Sequence, residues 1–258
     1  MKLAETLIAG SIGIATALSG GAQAQAQHQP VKNIVLVHGA FADGSSWSKV
    51  IPILEARGFH VVAVQNPLTS LKDDVDATRR IIALQDGPVI LVGHSWGGTV
   101  ITEVGDDAKV AGLVYVAAYT PDVGQSANDN SNPFGFTSGQ KSITVDSQHF
   151  ARLSEEGVLN FFAEGLPMAE RRVIAAVQGQ TNGPMFDEKV THAGWKNKPS
   201  WHVISLKDQT LTAAMEEAGA KKSGGKAVPL ETCHVAMLQE PEKVADVITE
   251  AANHSLKP

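Results

Sequence analysis

Hydrophobic positions along the chain fall into two recurring patterns. Short apolar runs rich in β-branched residues occur at 33–38 (NIVLVH), 60–64, 88–93, 110–117 (VAGLVYVA), 201–206 and 226–230, bounded by glycine or polar turn residues. Between them, apolar residues recur at helical spacing. Trp47, Val50, Ile51 and Leu54 predict a helix over 47–57, with Asp43 and Ser45 as natural caps and Gly58 as its stop. Further helices are expected over 71–84, over TVITEV after Gly98, over 210–218 and over 234–252. Buried strands alternating with helices predict an α/β fold whose mostly parallel sheet is covered on both faces.

The alternation pauses from about residue 120 to 199. A polar Gly/Asn/Ser stretch (124–139) precedes helix-like segments at 147–164 and 168–180 and a loop to Trp195. This segment reads as a small helical cap, inserted after the fourth strand over the carboxyl edge of the sheet. It holds Phe134, Phe136, Phe150, Phe161, Phe162 and Phe186, six of the eight phenylalanines. Their concentration favours an apolar or aromatic small molecule as ligand.

Chemistry concentrates where the run Val89-Ile90-Leu91-Val92 meets Gly93-His94-Ser95-Trp96-Gly97-Gly98. Strand, sharp turn and helix in that order make a nucleophile elbow, which holds Ser95 in a strained conformation with Oγ projecting from the sheet edge. Gly93 and Gly97 are expected where side chains would collide. A serine hydroxyl needs a histidine to take its proton and a carboxylate to hold that histidine. Asp208 follows the 201–206 run and His234 follows the 226–230 run, so Ser95, Asp208 and His234 stand in the order such a triad requires. The Trp96 amide and that of Ala40, in His38-Gly39-Ala40-Phe41, are the expected oxyanion donors, with the Phe41 amide as the alternative to Ala40. Phe41 is also a candidate substrate contact. Asp122, after the 110–117 run, competes with Asp208 for the acid.

These pieces, IVLVHGAFADGSSW, GHSWGG, SLKDQT and CHVAMLQEPEKVADVI, resemble the α/β-hydrolase superfamily over nearly the whole chain after residue 26. The resemblance is to its small-cap branch of bacterial aryl or pyrethroid-type esterases, plant methylesterases and hydroxynitrile lyases. It implies a sheet of about six parallel strands, no cofactor, and hydrolysis of a carboxylic ester through an acyl-enzyme. Trp96 is bulkier than the residue usual there, so it is expected to narrow the acyl side of the pocket. The lyases of the branch are expected to carry a hydroxyl residue after the strand histidine and a lysine after the catalytic one. This chain has Gly39 and Val235, which favours ester hydrolysis. A ligand-binding or signalling protein on the same scaffold is the reading from another class, and a complete apparent triad argues against it.

Composition narrows the partners. A formal charge of −6 with scattered basic residues offers nothing to a nucleic acid. A lone cysteine, Cys233, excludes an internal disulfide and a cysteine metal cluster, and it reads as a small buried packer. No ligand-type spacing links the nine histidines, so no metal is expected. His38 and His94 read as structural, and His149, His192 and His202 as surface or packing residues. At the amino end, Lys2, an apolar run at 7–18 and small residues around Ala22, Ala24 and Ala26 predict a signal peptide over 1–26. The hydrolase domain then spans 27–258 as a periplasmic or secreted protein without stable membrane insertion, its state as monomer or dimer left open.

Overall fold

In the computed structural model, which describes residues 31–254, six strands form where the apolar runs predict them. They are β1 (Asn33–Val37), β2 (His60–Ala63), β3 (Val89–His94), β4 (Val110–Val116), β8 (Ser200–Ser205) and β9 (Lys226–Leu230). They pair in the order β2-β1-β3-β4-β8-β9, and every pairing is parallel. All six carboxyl ends therefore share one edge, where a parallel sheet places its ligands. β1, β3 and β8 are buried at every residue, which requires cover on both faces. β9 contains Pro229 and is tolerated because it is an outer strand of the sheet.

The flanking helices are α1 (Ile51–Ala56), α2 (Leu71–Ala83), α3 (Gly97–Val104), α5 (Ala213–Ser223) and α6 (Pro241–His254). Two differ from the periodicity. The segment at 47–57 divides into a 3-10 turn, Gly44–Trp47, and α1, which has proline in its first turn. The closing segment breaks at Glu240, because Pro241 begins α6 afresh; only a short turn, Ala236–Gln239, precedes it, and His234 lies outside any helix.

Between β4 and β8 the cap is mixed rather than helical. The helix expected over 147–164 is not formed: β5 (Ile143–Val145), β6 (Phe150–Leu153) and β7 (Thr181–Asn182) make a three-stranded antiparallel sheet. The Asp146 carboxylate turns the chain back by accepting the Gln148 and Phe150 amides, with His149 at φ 70°. Only short helical turns follow, over Glu155–Gly157 and Val158–Phe162. The second expected cap helix is present as α4 (Met168–Val177). Among the described residues no helix is long and apolar enough to cross a membrane. The expected signal segment, 1–26, lies outside the described residues.

Candidate active site

β3 ends at His94, and Ser95 turns the chain into α3 with φ 52°. That left-handed conformation costs a non-glycine residue about 1–3 kcal/mol and persists only where its surroundings over-determine it. Here the Ser95 amide donates to Val116 O at 3.2 Å, and Ser95 O accepts from Gly98 N at 3.0 Å. The glycines leave no choice of residue: a Cβ at Gly93 would stand 2.5 Å from Gly97 O, and one at Gly97 would stand 2.4 Å from Val37 O.

His234 and Asp208 meet from neighbouring loops. The His234 Nδ1–H donates to Asp208 Oδ2 at 2.5 Å, with both side chains fully buried. Asp208 Oδ1 accepts the amides of Thr210 and Leu211 at 2.6 and 2.9 Å. That pattern fixes the histidine tautomer and leaves Nε2 without a proton, and Nε2 has no hydrogen-bond partner among the described residues, Ser95 included. Asp122, the competing acid, instead pairs with Lys196 at 2.5 Å and stays partly exposed.

The expected oxyanion donors are also distinguished. Phe41 N, at φ 60°, already donates to Thr181 Oγ1 at 3.1 Å. No acceptor for the Ala40 or Trp96 amide appears among the described residues' hydrogen bonds. Trp96 departs from expectation. Its fully buried indole turns away from the cavity toward α2, donating to Asp74 Oδ2 at 2.8 Å and meeting Phe186 edge-on at 5.3 Å. Its bulk therefore packs the elbow against α2, and it is not among the residues that line the cavity beside the site.

A cavity of about 340 Å³ opens beside these groups. Phe41, Phe162, Val235 and Leu238 form part of its inner wall, and Val173, Ile174 and Val177 of α4 form its outer one. It reaches His94 and Val235, the chain neighbours of Ser95 and His234. Lys49 and Glu170, ion-paired at 2.6 Å, also line it.

Comparison with known proteins agrees with this fold. The sequence profile of the Alpha/beta hydrolase family matches residues 34–247. The chain belongs to the alpha/beta hydrolase family. It is 29% identical over 245 residues to "Probable hydrolase R7" of Phoma sp., covering 85% of this chain and 97% of that protein. It is 28% identical over 253 residues to "Pyrethroid hydrolase" of Sphingobium wenxiniae, covering 86% and 88%. Among solved structures, the pyrethroid hydrolase PytH superposes with a TM-score of 0.75 at 24% identity, over 88% of this chain and 100% of that one. These relatives support a hydrolase with esterase-like character.

Around this alpha/beta hydrolase site His38, His94 and His202 are held by the surrounding structure, each for a definable reason. His38 accepts the Asn66 amide on Nε2 and donates from Nδ1 to Gly39 O, and burial lowers its pKa. His94 donates from Nε2 to His234 O at 3.0 Å, and its ring lies 4.6 Å from the His234 ring. Burial holds it neutral, so it places the His234 backbone without adding charge. His202 stacks on Tyr115 at 4.7 Å, with burial lowering its pKa to about 3. His192 sits at the surface between Glu103 and Asp106, and His149 lies in the cap hairpin. The Cys233 thiol is buried and pushed up to about 11, which makes it a packing residue.

Several contributors escape sequence reasoning. Phe162 packs 5.0 Å from the His234 ring, but Phe136 is 73% exposed, so the cap's phenylalanines do not act together. Trp195 donates to Pro121 O beneath Lys196 and Lys222 and does not line the cavity. Asp74 and Glu216 are buried acids beside the elbow and the Asp208 loop. No motif marks either one.

Proposed function

We propose that the protein hydrolyses carboxylic esters of apolar or aromatic small molecules through an acyl-enzyme. The observation that carries this reading is the buried Asp208–His234 pair with an unpartnered Nε2, together with Ser95 held at positive φ directly after His94, whose ring lies 4.6 Å from that of His234. Ser95 Oγ attacks the ester carbonyl while His234 Nε2 takes its proton, and the imidazolium is stabilised by Asp208. His234 then gives that proton to the departing alcohol oxygen. Water, deprotonated by the same nitrogen, releases the acid and restores Ser95. The amides of Ala40 and Trp96 receive the oxyanion, since the Phe41 amide is engaged by Thr181. No step calls for a metal or cofactor.

The aliphatic and aromatic walls of the cavity support an apolar substrate, as do relatives named pyrethroid hydrolase and methylesterase. Against cyanohydrin cleavage stands Val235, an apolar wall where departing cyanide would need a donor. A Cβ at Gly39 would stand 2.8 Å from Ser95 Cβ, so a hydroxyl residue there would press on the elbow. We further propose export to the periplasm or medium on the strength of residues 1–26, with 27–258 as the hydrolase domain and about 120–199 as its cap.

Ser95→Ala is expected to lower turnover of p-nitrophenyl butyrate by about 10⁶-fold in a folded protein. Retention of more than a few per cent of activity removes Ser95 from the role. A fluorophosphonate probe followed by mass spectrometry separates enzyme from binder: rapid labelling of Ser95 supports the hydrolase, and no adduct supports the binder. Mandelonitrile, assayed alongside, is expected to yield no Ser95-dependent benzaldehyde.

A further inference from the structure

Glu216 is a carboxyl group that the proposed chemistry leaves unused, yet it is buried within the site's foundations. It stands on α5 eight residues after Asp208, with 2% of its surface exposed. Oε2 accepts the amide of Ser205, the last residue of β8, at 2.9 Å, which fixes the direction of the side chain. Oε1 has no donor among the described residues, and the same Ser205 whose amide Glu216 accepts receives the Asp208 amide on its carbonyl at 3.1 Å, so the two buried carboxyl groups share one neighbourhood.

Two carboxylates this close in a dry interior cannot both ionise. Asp208 accepts three N–H bonds, from Thr210, Leu211 and His234; Glu216 accepts one. The charged groups acting on Glu216 are Asp208 across the gap and Glu217 on its own helix, and both are acidic. Asp208 in turn is faced by His234, by Tyr119 after β4 and by Glu164 of the cap. The better-solvated charge is on Asp208. Burial first, and the Asp208 charge second, raise the Glu216 pKa well above the usual carboxylate range. A proton on Glu216 Oε1 makes that oxygen a donor and gives it the hydrogen bond it otherwise lacks.

We propose that Glu216 is a neutral carboxylic acid that donates a hydrogen bond to Asp208, and is thereby a positioning residue for the Asp208–His234 pair. This rests on the assignment of that pair in the preceding subsection. A fourth donor holds the Asp208 carboxylate in one rotamer and spreads its charge. Its proton affinity falls, so the shared proton stays on His234 Nδ1 and Nε2 remains the base.

Infrared difference spectra between wild type and Glu216→Gln at neutral pH test the protonation state. A carboxylic-acid C=O band present in wild type and lost in the variant is expected; its absence from wild type overturns the proposal. The pH dependence of kcat/KM for p-nitrophenyl butyrate tests the positioning. Glu216→Leu keeps the volume and removes the donor, so kcat is expected to fall between about 10- and 100-fold. The acidic limb should move to higher pH, because a less shared Asp208 charge holds the imidazolium more firmly. Glu216→Gln, whose amide can donate to Asp208 while accepting from Ser205, should recover most of the loss. A limb displaced to lower pH in Glu216→Gln would mean that a negative charge had been removed, and the proposal fails. A folded Glu216→Leu with wild-type rate and limb reduces the residue to packing, and should it not fold, Glu216→Gln carries the test. The His234 Nδ1 proton resonance, titrated by NMR, gives the same readout without turnover, so failure of the esterase reading is distinguishable from failure of this one.

Discussion

Ser95 and Asp208 follow strands buried along their whole length, and His234 follows the outer strand β9, of which only Leu230 is buried, whereas α4, the outer wall of the cavity beside them, has no buried residue. Val173 and Val177 are 61% and 48% exposed, while Ile90, Leu91 and Val92 on β3 are fully enclosed. Each aliphatic side chain enclosed in the core contributes about 1.5–3 kcal/mol. The sheet edge can therefore hold Ser95 in a strained conformation, and α4 has no such reserve. The difference teaches a division of labour in which the core fixes reactive geometry and the cap supplies an apolar wall that can adjust to what it covers.

The largest test contrasts two acids that the sequence leaves in competition. Asp208→Asn is expected to lower kcat by on the order of 10⁴-fold, because an amide in that place favours the wrong histidine tautomer. Asp122→Asn, which only frees Lys196 at the surface, should change kcat less than about twofold. The reverse ranking would move the acid to the cap's border and dissolve the contrast.

Next in size is a pH effect that belongs to the core alone. Asp74 accepts the Trp96 indole and the Leu68 amide, and burial raises its carboxyl from 3.8 to about 6. An acid whose pKa is higher folded than unfolded binds its proton more readily when folded. Stability is therefore gained as pH falls through about 6 toward 3.8, and that gain is absent above 6. The full interval corresponds to about 3 kcal/mol. Urea unfolding at pH 7 and pH 4.5 should show wild type gaining roughly 2 kcal/mol relative to Asp74→Asn on acidification. Parallel pH slopes in the two proteins would show that the elbow's brace does not titrate.

The same division explains what could be read from the residues in order. β1, β3, β4 and β8 were legible because burial on both faces leaves short apolar runs bounded by turns, and the more exposed outer strands β2 and β9 followed from their place in the alternation. Ser95, Asp208 and His234 stood out as candidates because each lies within a few residues of the end of such a run. β6 was not legible, since Phe150–Leu153 is four residues long and its partners are shorter still, Ile143–Val145 across the turn at Asp146 and the distant Thr181–Asn182. Trp96 was misdirected for a related reason: what decides its orientation is Asp74, 22 residues earlier in the chain. Glu216 carries no local signal, because its meaning lies in meeting Ser205 and Asp208 across a loop.

A smaller effect probes the cap as a selecting wall. Ile174→Ser removes apolar contact from the α4 face of the cavity at a position that is only partly buried. At about 0.8 kcal/mol per methylene, KM for p-nitrophenyl octanoate should rise about tenfold. KM for the acetate and the melting temperature should hardly move. Equal changes for both esters would mean that the long chain lies elsewhere.

The smallest expected effect lies where core and cap touch. Lys49, just after the Gly44–Trp47 turn, pairs with Glu170 in the first turn of α4, and both side chains are about two-fifths exposed at 40% and 38%. Exposed pairs contribute about 0–1 kcal/mol, and salt screens them within a Debye length of roughly 8–10 Å. Arg171, the next residue, donates to the carbonyls of Leu159, Glu164 and Leu166, so α4 keeps its place within the cap without the pair. Lys49→Met should consequently alter KM for p-nitrophenyl octanoate by less than about threefold. In wild type, 0.5 M salt should reproduce the change, and in the variant added salt should do little more. A tenfold effect that salt does not imitate would show the pair acting as a fixed closure, and the cap would then be no more adjustable than the sheet edge beneath it.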